Sequence, residues 1–129
     1  ECPAMPELII ERRKRRKRKL EVIDSKVVFR KRHEHSFELP PEIAEWLKKN
    51  LDIVDWLVFD SAIAPYLRHP HSVRTLIILL YTRAHNISIS QIVKKLDMAH
   101  EQLYRLERLL TKLGLRDQIY EALRSRVQQ

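Results

Sequence analysis

The sequence predicts a mainly all-α protein, a small helical bundle preceded by a basic extended arm, with room for a short β-hairpin between the two. Three observations predict it. One glycine in 129 residues is far below ordinary usage and argues against a turn-rich β fold. The six prolines stand between apolar runs, as expected of helices joined by short connectors. From residue 40 onward the apolar side chains recur at helical spacing, and the apolar content of 44% is ordinary for a folded chain. The expected organisation is an arm over 1–39 and a helical domain over 40–129.

Residues 1–11 form a lead-in with two prolines. Arg12, Arg13, Lys14, Arg15, Arg16, Lys17, Arg18 and Lys19 then make eight consecutive basic residues. Like charges at this density repel, so the segment is expected to be disordered or extended until it meets an anion. Residues 20–39 are rich in β-branched and aromatic side chains: Val22, Ile23, Val27, Val28, Phe29, Phe37 and, last, Leu39. They read either as two short strands turning at Asp24-Ser25 or as extended coil. Arg30, Lys31 and Arg32 add a second basic cluster, which would continue the arm.

Pro40-Pro41 opens a helix, because the N–H that proline lacks would be unpaired in a first turn anyway. Glu42 and Glu45 complement its start, Lys48 and Lys49 its end, and Asn50 can cap it. Ile43, Trp46 and Leu47 form its apolar face. A second helix is expected over 52–67, with Pro65 kinking or ending it and apolar residues on several sides. Ser72 is a good N-cap for a buried helix over 73–84, and Asn86 ends it.

Residues 88–115 then read as a short helix, a tight turn and a longer helix. Ile89, Ile92, Val93 and Leu96 share one face of the first helix, and Lys94 and Lys95 point away. Met98 falls in the turn. Leu103, Leu106, Leu109, Leu110 and Leu113 form the inner face of the second helix. Its outer face carries His100, Glu101, Gln102, Tyr104, Arg105 and Arg108, and Gly114 suits a left-handed C-cap. With the helix over 73–84 this makes a tri-helical unit, and 116–127 reads as a last helix with Ile119, Tyr120, Leu123 and Val127 inward.

The pattern Ser90-Gln91-Ile92-Val93, Leu96-Asp97 and Leu109 to Leu115 resembles the helix-turn-helix of winged-helix regulators, over about a third of the chain. The family's usual form is Ser-Gln-Ile-Ala-x-x-Leu-Gly, a turn, the recognition helix, then Leu-x-x-x-Gly-Leu. Asp97 stands where the family often has glycine, a place aspartate can take because it tolerates left-handed geometry. The two-stranded wing that should follow Leu115 is missing, so a wingless tri-helical form, spanning about 72–115, fits better.

A formal net charge of +8 favours a polyanionic partner. Double-stranded DNA is the expected one. Gln102, Arg105, His100 and Tyr104 would reach base edges or phosphates in the major groove, and Lys94, Lys95, Arg108 and Lys112 would contact phosphates. Glu101 and Glu107 are a caution on that face, since carboxylates repel phosphate. The arm would follow the backbone or enter the minor groove. Two alternatives use the same features: an architectural protein that packages nucleic acid without reading sequence, as in a virion nucleoprotein or chromatin, and an RNA-binding part of a ribonucleoprotein. A homodimer or higher homo-oligomer is expected, because paired half-sites mirror a two-fold.

Other classes are poorly supported. His33/His35 and His69/His71 form two His-x-His pairs, but Cys2 is the single cysteine, so no metal site and no internal disulfide are expected. There is no glycine-rich phosphate loop, Gly-x-Ser-x-Gly elbow or His-Glu-x-x-His, so no catalytic residues and no cofactor are expected. No apolar run reaches the roughly 18 residues of a membrane span, and 20–29 is too broken by charge for a signal-peptide core. An intracellular setting follows, cytoplasm or nucleoid, or a virion if the protein packages nucleic acid.

Overall fold

The computed structural model describes residues 20–127. The polybasic run at 12–19 lies outside the described residues. Those described are mainly helical, with six α-helices and one three-stranded antiparallel sheet. They belong to two compact units, one ending at Pro70 and the other starting at His71.

The first unit holds the sheet: β1 (Leu20–Ile23), β2 (Lys26–Lys31) and β3 (His33–Glu38), paired in sequence order. The turn falls at Asp24-Ser25 as expected, with Asp24 at φ 57°. Pairing of Leu20 with Phe29 and of Val22 with Val27 sends Leu20, Val27 and Phe29 to one fully buried face. The third strand goes beyond the expected hairpin. Its sequence, His-Glu-His-Ser-Phe-Glu, is polar because β3 is an edge strand with no fully buried residue. Phe29 secures it from the neighbouring strand, stacking on His35 at 5.1 Å and meeting Phe37 edge-on at 6.2 Å. Residues 20–39 are therefore sheet, followed by Leu39, whose N–H donates to Ser25 O at 2.9 Å. They do not continue an extended arm.

Two helices complete this unit, α1 (Pro41–Lys49) and α2 (Leu51–Phe59), and β1 packs on α1. Asn50 is the single residue between them, and its side-chain amide donates to Trp46 O at 2.8 Å. The expected long helix over 52–67 ends at Phe59, well before Pro65. The N–H groups of Asp60 and Ser61 both donate to Trp56 O. The Ser61 hydroxyl donates back to Leu57 O at 2.8 Å and accepts from Ile63 N–H, so side-chain bonding displaces the helical ladder. Pro65 sits instead in a short 3-10 turn, Ala64–Tyr66.

The second unit is built from α3 (Pro70–Ala84), α4 (Ile89–Leu96), α5 (His100–Lys112) and α6 (Arg116–Val127). The first of these starts two residues before the expected Ser72 cap, with proline in its first turn where the missing N–H is harmless. It is apolar nearly all round: Val73, Thr75 to Leu80, Thr82 and Ala84 are buried. Thr75 and Thr82 turn their hydroxyls back to the carbonyls four residues earlier, which satisfies them inside the core. A helix, not a wing, follows Leu115. Ile119, Tyr120 and Leu123 face inward as expected, but Val127 is exposed.

Candidate nucleic-acid interface

The short helix α4 is amphipathic, with Ile89, Ile92 and Val93 buried and Lys94 and Lys95 exposed. Ser88 caps it, accepting from Gln91 N–H at 3.4 Å. Asp97 ends it at φ 53°, ψ 56°, a left-handed conformation that aspartate adopts at modest cost. Asp97, Met98 and Ala99 are the whole turn, after which α5 begins at His100. Met98 is half-buried and the backbone at Asp97 redirects the chain.

On α5 the inner and outer faces separate cleanly. Leu103 and Leu110 are fully buried, and Leu106, Leu109 and Leu113 are half-buried. His100, Tyr104, Arg105, Arg108 and Lys112 are exposed, at spacings of three, four and seven residues that place them on adjoining outer rows. His100 and Tyr104 stack with ring centroids 6.4 Å apart. Glu101, the acidic residue of this face, is bonded to Arg108 at 2.6 Å.

Two expected members of the outer face behave otherwise. Gln102 is half-buried and structurally engaged: its carbonyl accepts from Ala99 N–H at 3.3 Å, and its amide lies 2.6 Å from His71 Nε2. Glu107 does not face outward at all. Arg83 grips it with two hydrogen bonds, Nε at 2.8 Å and Nη2 at 2.9 Å, and the Tyr120 hydroxyl donates at 2.8 Å. Burial alone would push the Glu107 carboxyl up, but the hydrogen bonds from Arg83 and Tyr120 and the nearby guanidiniums hold it below its usual range. Burial, then the bond to Glu107, pushes the Tyr120 phenol well up. Its own hydrogen bonds to Glu107 hold the Arg83 guanidinium even more firmly charged. Helical spacing does place Glu107 inward, four residues after Leu103 and three before Leu110, so the signal was in the sequence.

No protein-family model, curated protein or solved structure matches the chain.

Elsewhere the expected contacts divide. In the first unit, Arg30 is exposed and paired with Glu34 across the β2–β3 ladder at 3.1 Å. Lys31 is half-buried and its ammonium donates to the carbonyls of Ala64 and Leu67, both at 2.9 Å. Arg32 is exposed at the turn between β2 and β3. Arg12, Arg13, Lys14, Arg15, Arg16, Lys17, Arg18 and Lys19 lie outside the described residues.

Charge is unevenly spread along the chain. Residues 71–129 carry ten Lys and Arg against five Asp and Glu, whereas residues 20–70 carry seven against nine. The basic excess therefore belongs to the N-terminal run and to the second unit, the one that contains α5.

Proposed function

We propose that the chain binds double-stranded DNA through its second unit, a wingless tri-helical helix-turn-helix in which α5 enters the major groove. One observation carries the reading: the exposed outer face of α5 combines His100, Tyr104, Arg105, Arg108 and Lys112, while its carboxylate Glu101 is paired with Arg108 and Glu107 is turned inward against Arg83. A face of cations and hydrogen-bonding rings on a solvent-facing helix suits phosphates and groove edges. Lys94 and Lys95 on α4 add phosphate contacts, and the polybasic arm adds the longer-range attraction.

A second reading is favoured by Gln102. Bidentate reading of adenine by an amide is among the strongest specific contacts, and on this face that amide is already committed to Ala99 and His71. Of the described residues exposed on this face, Arg108 is paired with Glu101, which leaves Arg105 as the one unpaired guanidinium that could read a base edge. This favours a protein that coats or packages duplex without sequence preference over a regulator with a defined operator.

Equilibrium binding to random duplex across a salt series tests both. Arg105→Ala and Lys112→Ala are each expected to weaken binding about equally on all sequences and to flatten the log–log salt slope by roughly one. If the double variant binds duplex as tightly as the parent, α5 is not the contact surface and the proposal fails. Selection from a random pool then separates the two readings: a regulator yields a motif, a coat protein yields none.

A further inference from the structure

The first unit carries a different cluster, which shares no residue with α5. A cleft of about 510 Å³ is lined by Lys31, Arg32, His33, His35, Arg68 and His69, with Ala64 and Pro65 supplying the apolar lining. Its size falls within the roughly 300–1,000 Å³ of small-molecule sites. Two arginines, one lysine and three imidazoles line it, and no carboxylate does. They come from two stretches of sequence, 31–35 and 64–69, and the fold gathers them because Lys31 ties the end of β2 to the Ala64–Tyr66 turn and Leu67.

Two features of the cleft are locally unfavourable. The Lys31 ammonium is driven toward its neutral state by burial and then by the like charge of Arg68. Arg32, which lines the cleft, sits at φ 64°, a left-handed conformation unfavourable for a residue with a Cβ. An anion between these groups relieves the repulsion of Lys31 and Arg68. Guanidiniums favour phosphate because their planar forks match its oxygens two at a time. Lys31 uses two of its three donors on carbonyls, which leaves one for a ligand. Among the described residues no three His, Cys, Asp or Glu side chains are grouped to hold a metal ion, and His35 is stacked on Phe29.

We propose that this cleft is a binding site for a small anion carrying two or more phosphate groups, held by Arg32, Arg68 and Lys31 and flanked by His33, His35 and His69. The site is independent of the DNA reading, since it lies in the other compact unit and shares no residue with α5.

The chain's six histidines make the test specific, because three line the cleft and three (His71, His85 and His100) do not. Full-length protein is titrated with inorganic tripolyphosphate at physiological salt, following the imidazole NMR signals and, by calorimetry, the stoichiometry. The expected result is one saturable site that shifts His33, His35 and His69 and leaves the other three in place. Arg68→Gln, at an exposed position where the fold should tolerate it, is expected to weaken that site about tenfold or more. Shifts spread evenly over all six histidines, or an affinity that Arg68→Gln leaves unchanged, would mean diffuse attraction to the basic arm and would overturn the proposal. So would a titration in which tripolyphosphate leaves the cleft histidines unmoved and duplex DNA shifts them, because the cleft would then belong to a nucleic-acid surface.

Discussion

At Glu107 one carboxylate collects three hydrogen bonds from two other helices, Arg83 of α3 and Tyr120 of α6. Glu107→Gln is expected to cost about 1–3 kcal/mol in urea denaturation, because it weakens a charge-assisted fork and leaves a half-buried guanidinium without its anion. The pH dependence follows from the depressed pKa. The contribution of Glu107 is fully present above the carboxyl's ordinary value of 4.5 and is lost as pH falls through its lower folded value. The parent should therefore lose stability below about pH 4 more steeply than Glu107→Gln, which thermal melts across that range would check. How much could be read in advance differs from residue to residue. The inward side of Glu107 follows from its spacing to Leu103 and Leu110, and the left-handed Asp97 follows from its chemistry. Lys31 could not be placed from the sequence, since its partners Ala64 and Leu67 lie over thirty residues away and offer only backbone oxygen, which no residue type announces.

At the scale of elements, the helices with a sharp amphipathic pattern and a chemical stop were legible. The start of α1 at Pro41, the α4 turn and the end of α5 fall where propensity and capping put them. The failures share one cause: local hydrogen bonding or edge position overrode periodicity. Ser61 and Asp60 stopped α2 early although the apolar run continues, and β3 is a strand although only Phe37 and His35 in it offer an inward face. Gly114 ends α5 at φ 74° with open space around the position of an added Cβ. Gly114→Ala should therefore cost only the backbone term, about 1 kcal/mol, with no steric clash. Asp97→Gly should move the other way by several tenths of a kcal/mol, because glycine enters that conformation freely and aspartate does not. Denaturant midpoints of the two variants, compared with the parent at unchanged slope, would decide both; a Gly114→Ala loss of several kcal/mol would contradict this account.

At the scale of the whole molecule, the charge of +8 was legible, but its uneven distribution between the two units was not, because the boundary at residue 70 is a property of the fold. With residues 20–70 slightly acidic and residues 71–129 basic, the two compact units should respond to salt differently. Removing residues 1–19 takes away eight basic residues, and if each neutralises a phosphate the log–log salt slope falls by roughly seven. A slope that drops this far while residual duplex binding stays sensitive to Arg105→Ala would assign the long-range attraction to the arm and the docked contact to α5. Retention of the full slope by the truncated chain would contradict that division.

The burial of α3 on nearly every side has a kinetic consequence. Amide protons exchange with solvent only when their hydrogen bonds open, and a helix whose residues from Leu76 to Leu80 are all at 0% exposure has no face from which to fray. Its backbone amides should exchange only through the largest opening available to the second unit. Those of α4, a short helix with three buried residues, should exchange by smaller and more frequent excursions. The helix that holds this unit together would then stay protected in D2O while the one carrying Lys94 and Lys95 opens and recloses many times.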